Sequence, residues 1–113
     1  MKSPFPKSTY ERNAATYKVL ANPVRLEILN MLKQEELSVE DLTAALGLRK
    51  ANVSQHLSLL RAMGIVTTRR DGLRIHYTLV HKRIVEPCAI LHSLWEELAH
   101  HPLATPSYVK ELS

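Results

Sequence analysis

Apolar and polar positions alternate with a period that changes along the chain. Ala15, Val19 and Leu20, widened by Ala14 and Tyr17, form the apolar stripe of a first helix. Ser8 or Thr9 is its candidate cap, with Glu11 and Arg12 in the opening turns. Asn22-Pro23 stops that helix and starts a second, with Asn22 as N-cap and Pro23 at the first helical position. Val24, Leu26, Ile28, Leu29, Met31 and Leu32 give the second helix enough apolar residues to be buried on more than one side. Ser38-Val39-Glu40-Asp41 fits a capping box, a hydroxyl followed three residues later by an acid. The third helix runs to about Leu46, where Gly47 supplies a left-handed terminator. A fourth runs from about Lys50 to Met63 and ends at Gly64, with Val53, Leu57, Leu60 and Met63 as its core stripe. Two short helices joined by a tight glycine-containing turn make a helix-turn-helix pattern.

Beyond Gly64 the period changes from helical to extended. Ile65-Val66-Thr67-Thr68-Arg69 is rich in strand formers, Asp71-Gly72 is a hairpin turn signal, and Arg74-Ile75-His76-Tyr77-Thr78-Leu79 alternates as a return strand. A last helix is expected over residues 82–100, kinked or started by Pro87. Its stripe of Ile84, Cys88, Leu91, Trp95 and Leu98 resembles a coiled-coil seam, and no later element is present to cover it. The predicted class is mainly α with a small β-hairpin. The expected organisation is a loose arm over 1–7, one domain over 8–101, and an irregular tail over 102–113.

Length and composition agree with one small domain. The chain has 113 residues, of which 45% are apolar and 23% charged, a balance that excludes global disorder. The single cysteine, Cys88, cannot form an intrachain disulfide, so a disulfide-stapled scaffold is excluded. No apolar run approaches the roughly 20 residues needed to cross a bilayer. Met1 to Pro6 lack the apolar stretch of a signal peptide. The expectation is a cytoplasmic protein without a membrane partner. The net charge is +4, unevenly spread. Between Arg49 and Arg83, eight cations face the single acid Asp71, giving +7, while seven cations and ten acids elsewhere give −3. A basic window over a helix-turn-helix and its hairpin points to an anionic partner.

Helix, helix, helix-turn-helix, hairpin and long terminal helix is the order of a winged helix-turn-helix with additional helices at both ends. In Leu20-Ala21-Asn22-Pro23-Val24-Arg25-Leu26-Glu27-Ile28-Leu29, Glu36-Leu37-Ser38-Val39-Glu40-Asp41-Leu42, Val53-Ser54-Gln55-His56-Leu57-Ser58-Leu59-Leu60-Arg61, and Gly64-Ile65-Val66 leading to Arg69-Arg70-Asp71-Gly72, the chain resembles the ArsR family of bacterial winged-helix repressors. The resemblance spans about residues 12–99 and rests on the order and spacing of these pieces. It implies a homodimer built from the first and last helices. It also implies binding to double-stranded operator DNA, with repression relieved by a small ligand, metal or redox signal.

The residues themselves suggest a DNA surface. With Val53, Leu57 and Leu60 buried, the fourth helix presents Lys50, Ala51, Asn52, Ser54, Gln55 and Ser58, with His56 near the edge. Asn52 and Gln55 can pair with adenine through donor and acceptor together, whereas Ser54, Ser58 and His56 are less selective. Arg49 and Lys50 at the helix N-terminus suit phosphates, helped by free backbone N–H groups. By analogy with other such motifs, Ser38 caps its helix near the DNA backbone. Arg69, Arg70 and Arg74 bracket the hairpin turn and repel one another unless an anion is close, the composition of a wing beside the minor groove. A solvated helix face and a solubilising turn are the plainer explanations of the same residues.

No complete metal site of the family is expected in this chain. The soft-metal site implied by the family falls on Ser38 and Glu40, neither a soft ligand. The zinc site of its last helix falls on His81, Arg83, Leu94 and Glu97, of which Arg83 and Leu94 cannot bind metal. Cys88 and His92, four residues apart on one helical face, remain as a metal or redox pair, weighed against a thiol packed in an apolar seam. No constellation of catalytic groups is present in the sequence, so an enzyme is not expected. A winged helix that binds proteins, or a constitutive DNA binder without effector, are the alternatives. Exposed Arg, Lys, Asn, Ser and Gln disfavour the former.

Overall fold

The computed structural model describes residues 1–100. Five helices and three short strands follow in the order α1 (Lys7–Leu20), α2 (Pro23–Gln34), β1 (Leu37–Ser38), α3 (Val39–Leu46), α4 (Lys50–Ala62), β2 (Val66–Asp71), β3 (Arg74–Leu79) and α5 (Glu86–Leu98). A 3₁₀ turn, Lys82–Val85, leads into α5. The irregular tail expected over 102–113 lies outside the described residues.

Local chemistry sets most of the boundaries. Asn22 Oδ1 accepts hydrogen bonds from the backbone N–H groups of Val24 and Arg25 at 3.0 and 3.1 Å, with Pro23 in the first turn. Ser38 Oγ accepts from Asp41 N at 3.1 Å and Asp41 Oδ2 accepts from Ser38 N at 3.0 Å, closing the capping box of α3. Gly47 ends α3 at φ 65°, a left-handed position that costs glycine least. Three boundaries differ from expectation. The first helix starts at Lys7, capped by the backbone of Pro6 without any side-chain bond, so neither Ser8 nor Thr9 is its cap. The last helix begins at Glu86 and not at residue 82; of the two roles expected of Pro87, a kink or a start, the structure has the start, because its missing N–H is harmless in the first turn. The hairpin turn sits one residue later than the Asp71-Gly72 signal suggests. Asp71 pairs with Arg74, and the two turn residues are Gly72, at φ 63°, and Leu73.

The core lies where α2, α3, α4 and the base of the hairpin meet. Ile28, Leu29, Leu42, Val53, Leu57 and Leu60 are fully buried, and Ile65, Val66 and Val85 close the cluster. Met63, expected in the stripe of α4, is exposed, because the helix ends there and turns away at Gly64. The sheet has three antiparallel strands in the order β1-β3-β2, not the two of a lone hairpin. Leu37 pairs with Tyr77 and Ser38 with His76, so the segment entering α3 stitches the helix-turn-helix to the wing. No residue of α5 is fully buried.

Candidate nucleic-acid interface

Burial of Val53, Leu57 and Leu60 fixes how α4 is rotated about its axis. Lys50, Asn52, Gln55 and Ser58 are thereby exposed, and Ser54 and His56 sit half-buried at the edges. This is the face expected of α4, with two changes: Ser54 is half-buried and not fully presented, and His56 is engaged. The His56 ring Nδ1 lies 3.4 Å from Arg25 Nη1 of α2, while Arg25 Nε donates to the Val19 carbonyl at 2.5 Å. His56 is therefore engaged by its own domain, and Arg25 ties the end of α1 to α4. Arg49, at the N-cap of α4, is exposed and uses only its backbone carbonyl in the cap.

The other basic groups are differently placed from a simple ring of free cations. Side chains of registered residues share a sheet face and alternate along each strand. Thr67, Arg69 and Asp71 share one face with Arg74, His76 and Thr78, and the 2.8 Å contact of the Thr67 and Thr78 hydroxyls marks that face. Arg70 lies on the other, with Ile75 and Tyr77. Arg69, Arg70 and Arg74, expected as one cluster, are thus divided between two faces of the wing.

Two of the cations expected at this surface, Arg69 and Lys50, have acidic partners. Arg69 donates through Nε and Nη2 to Oε1 of Glu36, the Nε contact being 3.1 Å, and its Nη1 lies 4.0 Å from Asp71. Lys50 Nζ reaches Oε1 of Glu40 at 3.2 Å. The Arg69 hydrogen bond holds the Glu36 carboxyl below its ordinary value, with His76 adding to the effect, and Glu36 raises Arg69 in return. Glu40 is lowered by its own backbone N–H and then by Lys50. The anion that relieves repulsion at the wing is therefore intramolecular, at least at Arg69. Sequence reasoning passed over Glu36, Glu40 and Arg25. Only the pairing of β1 with β3, which a two-residue strand does not announce in sequence, brings Glu36 to the wing.

Ser38 caps α3 as expected: it is fully buried and engaged in the capping box, and so positions α3.

Cys88 and His92 do share a helical face. They line an apolar groove of about 430 Å³ between α1, α2 and α5, with Tyr17, Leu20, Leu91 and Trp95. Among the described residues no third His, Cys, Asp or Glu joins them in a metal-ligand cluster. His81 caps the 3₁₀ turn, its Nδ1 accepting from Arg83 N at 3.1 Å. Leu91 and Trp95 remain partly open to solvent. Among the described residues no helix is long and apolar enough to cross a membrane.

Known bacterial regulatory proteins share this sequence pattern and this fold. Residues 22–68 match the family model described as bacterial regulatory protein, arsR family. The transcriptional activator HlyU of Vibrio cholerae is 37% identical over 97 residues, covering 82% of this chain and 90% of that protein. Its solved structure superposes with a TM-score of 0.71 at 36% identity, over 79% of this chain and 97% of that one. A biofilm growth-associated repressor of Agrobacterium fabrum is 38% identical over 82 residues, 73% of this chain and 70% of the repressor. A homodimeric winged helix-turn-helix DNA-binding domain from Mycobacterium bovis, described as a possible ArsR-family regulator, superposes with a TM-score of 0.72 at 28% identity, over 94% and 98% of the two chains.

Proposed function

The chain belongs to the arsR family of bacterial regulatory proteins, and from that premise we propose that it is a homodimeric, operator-binding transcriptional repressor. One observation carries the reading. The core fixes α4 so that Asn52, Gln55 and Ser58 point outward beside the exposed Arg49, an edge of short hydrogen-bonding groups next to a cation. In the major groove Gln55 and Asn52 read base edges, and Ser54, at the rim, assists them. Arg49 and the open N-terminus of α4 bind phosphate, and Arg70 and Arg74 hold the wing against the neighbouring backbone. Lys50, Arg69 and His56 join the interface once their present partners yield.

A second copy supplies symmetry. The apolar edge of α5, left open along Leu91 and Trp95 and continuous with Tyr17 of α1, closes against its equivalent in a two-fold pair. Two copies of α4 then address major-groove segments about 34 Å apart. A homodimeric relative and a repressor relative support these two parts of the reading. The signal that lifts repression is a small ligand, a metal or a redox change, and Cys88 with His92 in the groove is its candidate receiver.

The decisive measurement is a mobility shift on the DNA upstream of the protein's own gene, repeated with zinc, oxidant and reductant. Reversal of Arg70 and Arg74 to Glu is expected to abolish the shift with the dimer intact. Gln55→Ala is expected to weaken binding to that DNA by about tenfold, from one lost bidentate base contact, and to leave random DNA nearly unaffected. Equal losses on both DNAs would remove Gln55 from base reading, and an unaltered shift after the double reversal would end the wing assignment.

A further inference from the structure

We infer that Glu36 is a charge gate on the wing: it occupies the Arg69 guanidinium as an internal stand-in for a backbone phosphate, and DNA must displace it before Arg69 can bind. The inference rests on the DNA-binding reading and assigns a specificity role to a residue outside the expected contact set.

The geometry is that of a phosphate contact turned inward. Arg69 offers Nε and Nη2 together to one oxygen of Glu36. That is the edge a guanidinium presents to phosphate or carboxylate alike. The pair is open to competition, since the Arg69 side chain is 54% exposed and that of Glu36 is 32% exposed. Register brings them together. Ser38 and Arg69 both pair with His76, so one row crosses all three strands, and Glu36, two residues before Ser38, returns to the same face beside that row. Arg69 first, and His76 after it, favour the charged form of the Glu36 carboxyl. Lys50 and Glu40 repeat the arrangement at the head of α4.

An exposed ion pair is nearly neutral beyond a Debye length, about 10 Å at 0.1 M salt. The gate therefore weakens the long-range pull of the wing on any DNA. It still lets Arg69 exchange carboxylate for phosphate when a close complex forms. The consequence is suppression of sequence-independent binding, the term that competes with an operator across a genome.

The test uses the full chain and a random-sequence duplex of about 30 base pairs, enough for two half-sites a helical turn apart. Fluorescence anisotropy is read across potassium chloride concentrations. Glu36→Gln is expected to bind about 3- to 10-fold tighter near 0.1 M salt, with a salt dependence steeper by about 0.9, the increment for one more neutralised phosphate. In an Arg69→Gln background the same change is expected to give a much smaller gain. A gain of equal size in both backgrounds would mean simple removal of repulsion and would overturn the gate. Weaker binding by Glu36→Gln, with an unchanged circular-dichroism melt, would identify the pair as a brace and also overturn it. Failure of both the unaltered protein and Glu36→Gln to bind the duplex in a salt-dependent way would remove the DNA reading itself.

Discussion

Truncating Trp95 to Ala tests the apolar edge of α5 as the contact between two copies. Trp95 is 36% exposed in the single chain, although it lines the groove with Leu91 and Tyr17. With about 250 Å² for a whole tryptophan, roughly 90 Å² remains for a partner to cover. At about 25 cal/mol per Å² this amounts to about 2 kcal/mol per protomer, or about 4–5 kcal/mol per symmetric pair. The dimer dissociation constant is therefore expected to rise by roughly a thousandfold. Sedimentation velocity over a range of protein concentrations measures it directly. Because Trp95 also touches its own domain, a thermal melt accompanies the measurement. Leu91→Glu, at a residue 50% exposed, serves as the second variant, placing a charge where the partner would pack. A monomer–dimer equilibrium unmoved by both substitutions would refute the reasoning and transfer the interface to another surface. If the contact is right, DNA affinity falls in step with dimer loss, because each monomer engages only one half-site.

Two further outcomes follow from the interior and from the caps. Leu57→Ala removes a fully buried side chain at the centre of the core and is expected to lower unfolding free energy by about 2–5 kcal/mol in a urea titration. A loss under about 1 kcal/mol would mean that α4 is not held as described. Asp41→Asn addresses pH. The Ser38 backbone N–H, with its hydroxyl second, holds the Asp41 carboxyl below its ordinary value of 3.8. A depressed folded-state value contributes stability above the unfolded one, and that stability is lost as pH falls through the lower folded value. The native chain should thus lose stability as pH falls below about 4, and the variant should show a flatter acid limb. Identical acid limbs would show that the capping box does not link protons to folding.

Much of the molecule was legible from sequence because its signals are local. The cap at Asn22, the box at Ser38 and Asp41, and the left-handed residue at Gly47 each act within a few residues, and the structure has all three. The spacing of Val53, Leu57 and Leu60 fixed which face of α4 is hidden, and therefore which face is free. Met63 continued that spacing and is nevertheless exposed, since periodicity says nothing about where the partner surface stops.

What tertiary structure decided is the fate of the charges. Chain order determined that Arg69, Arg70 and Arg74 lie together near a turn, but the sheet face each occupies depends on pairing register, which a one-residue displacement inverts. Glu36 reaches Arg69 only because two residues, Leu37 and Ser38, join the far edge of β3, and so short a strand has no sequence period of its own. Arg25 meets His56 across 31 positions of chain for the same kind of reason. The sequence by itself determined the helices, the wing and the polar edge of α4. Pairing between segments distant in the chain determined which cations are already partnered, because electrostatic partners are set by separation in space and not by separation along the backbone.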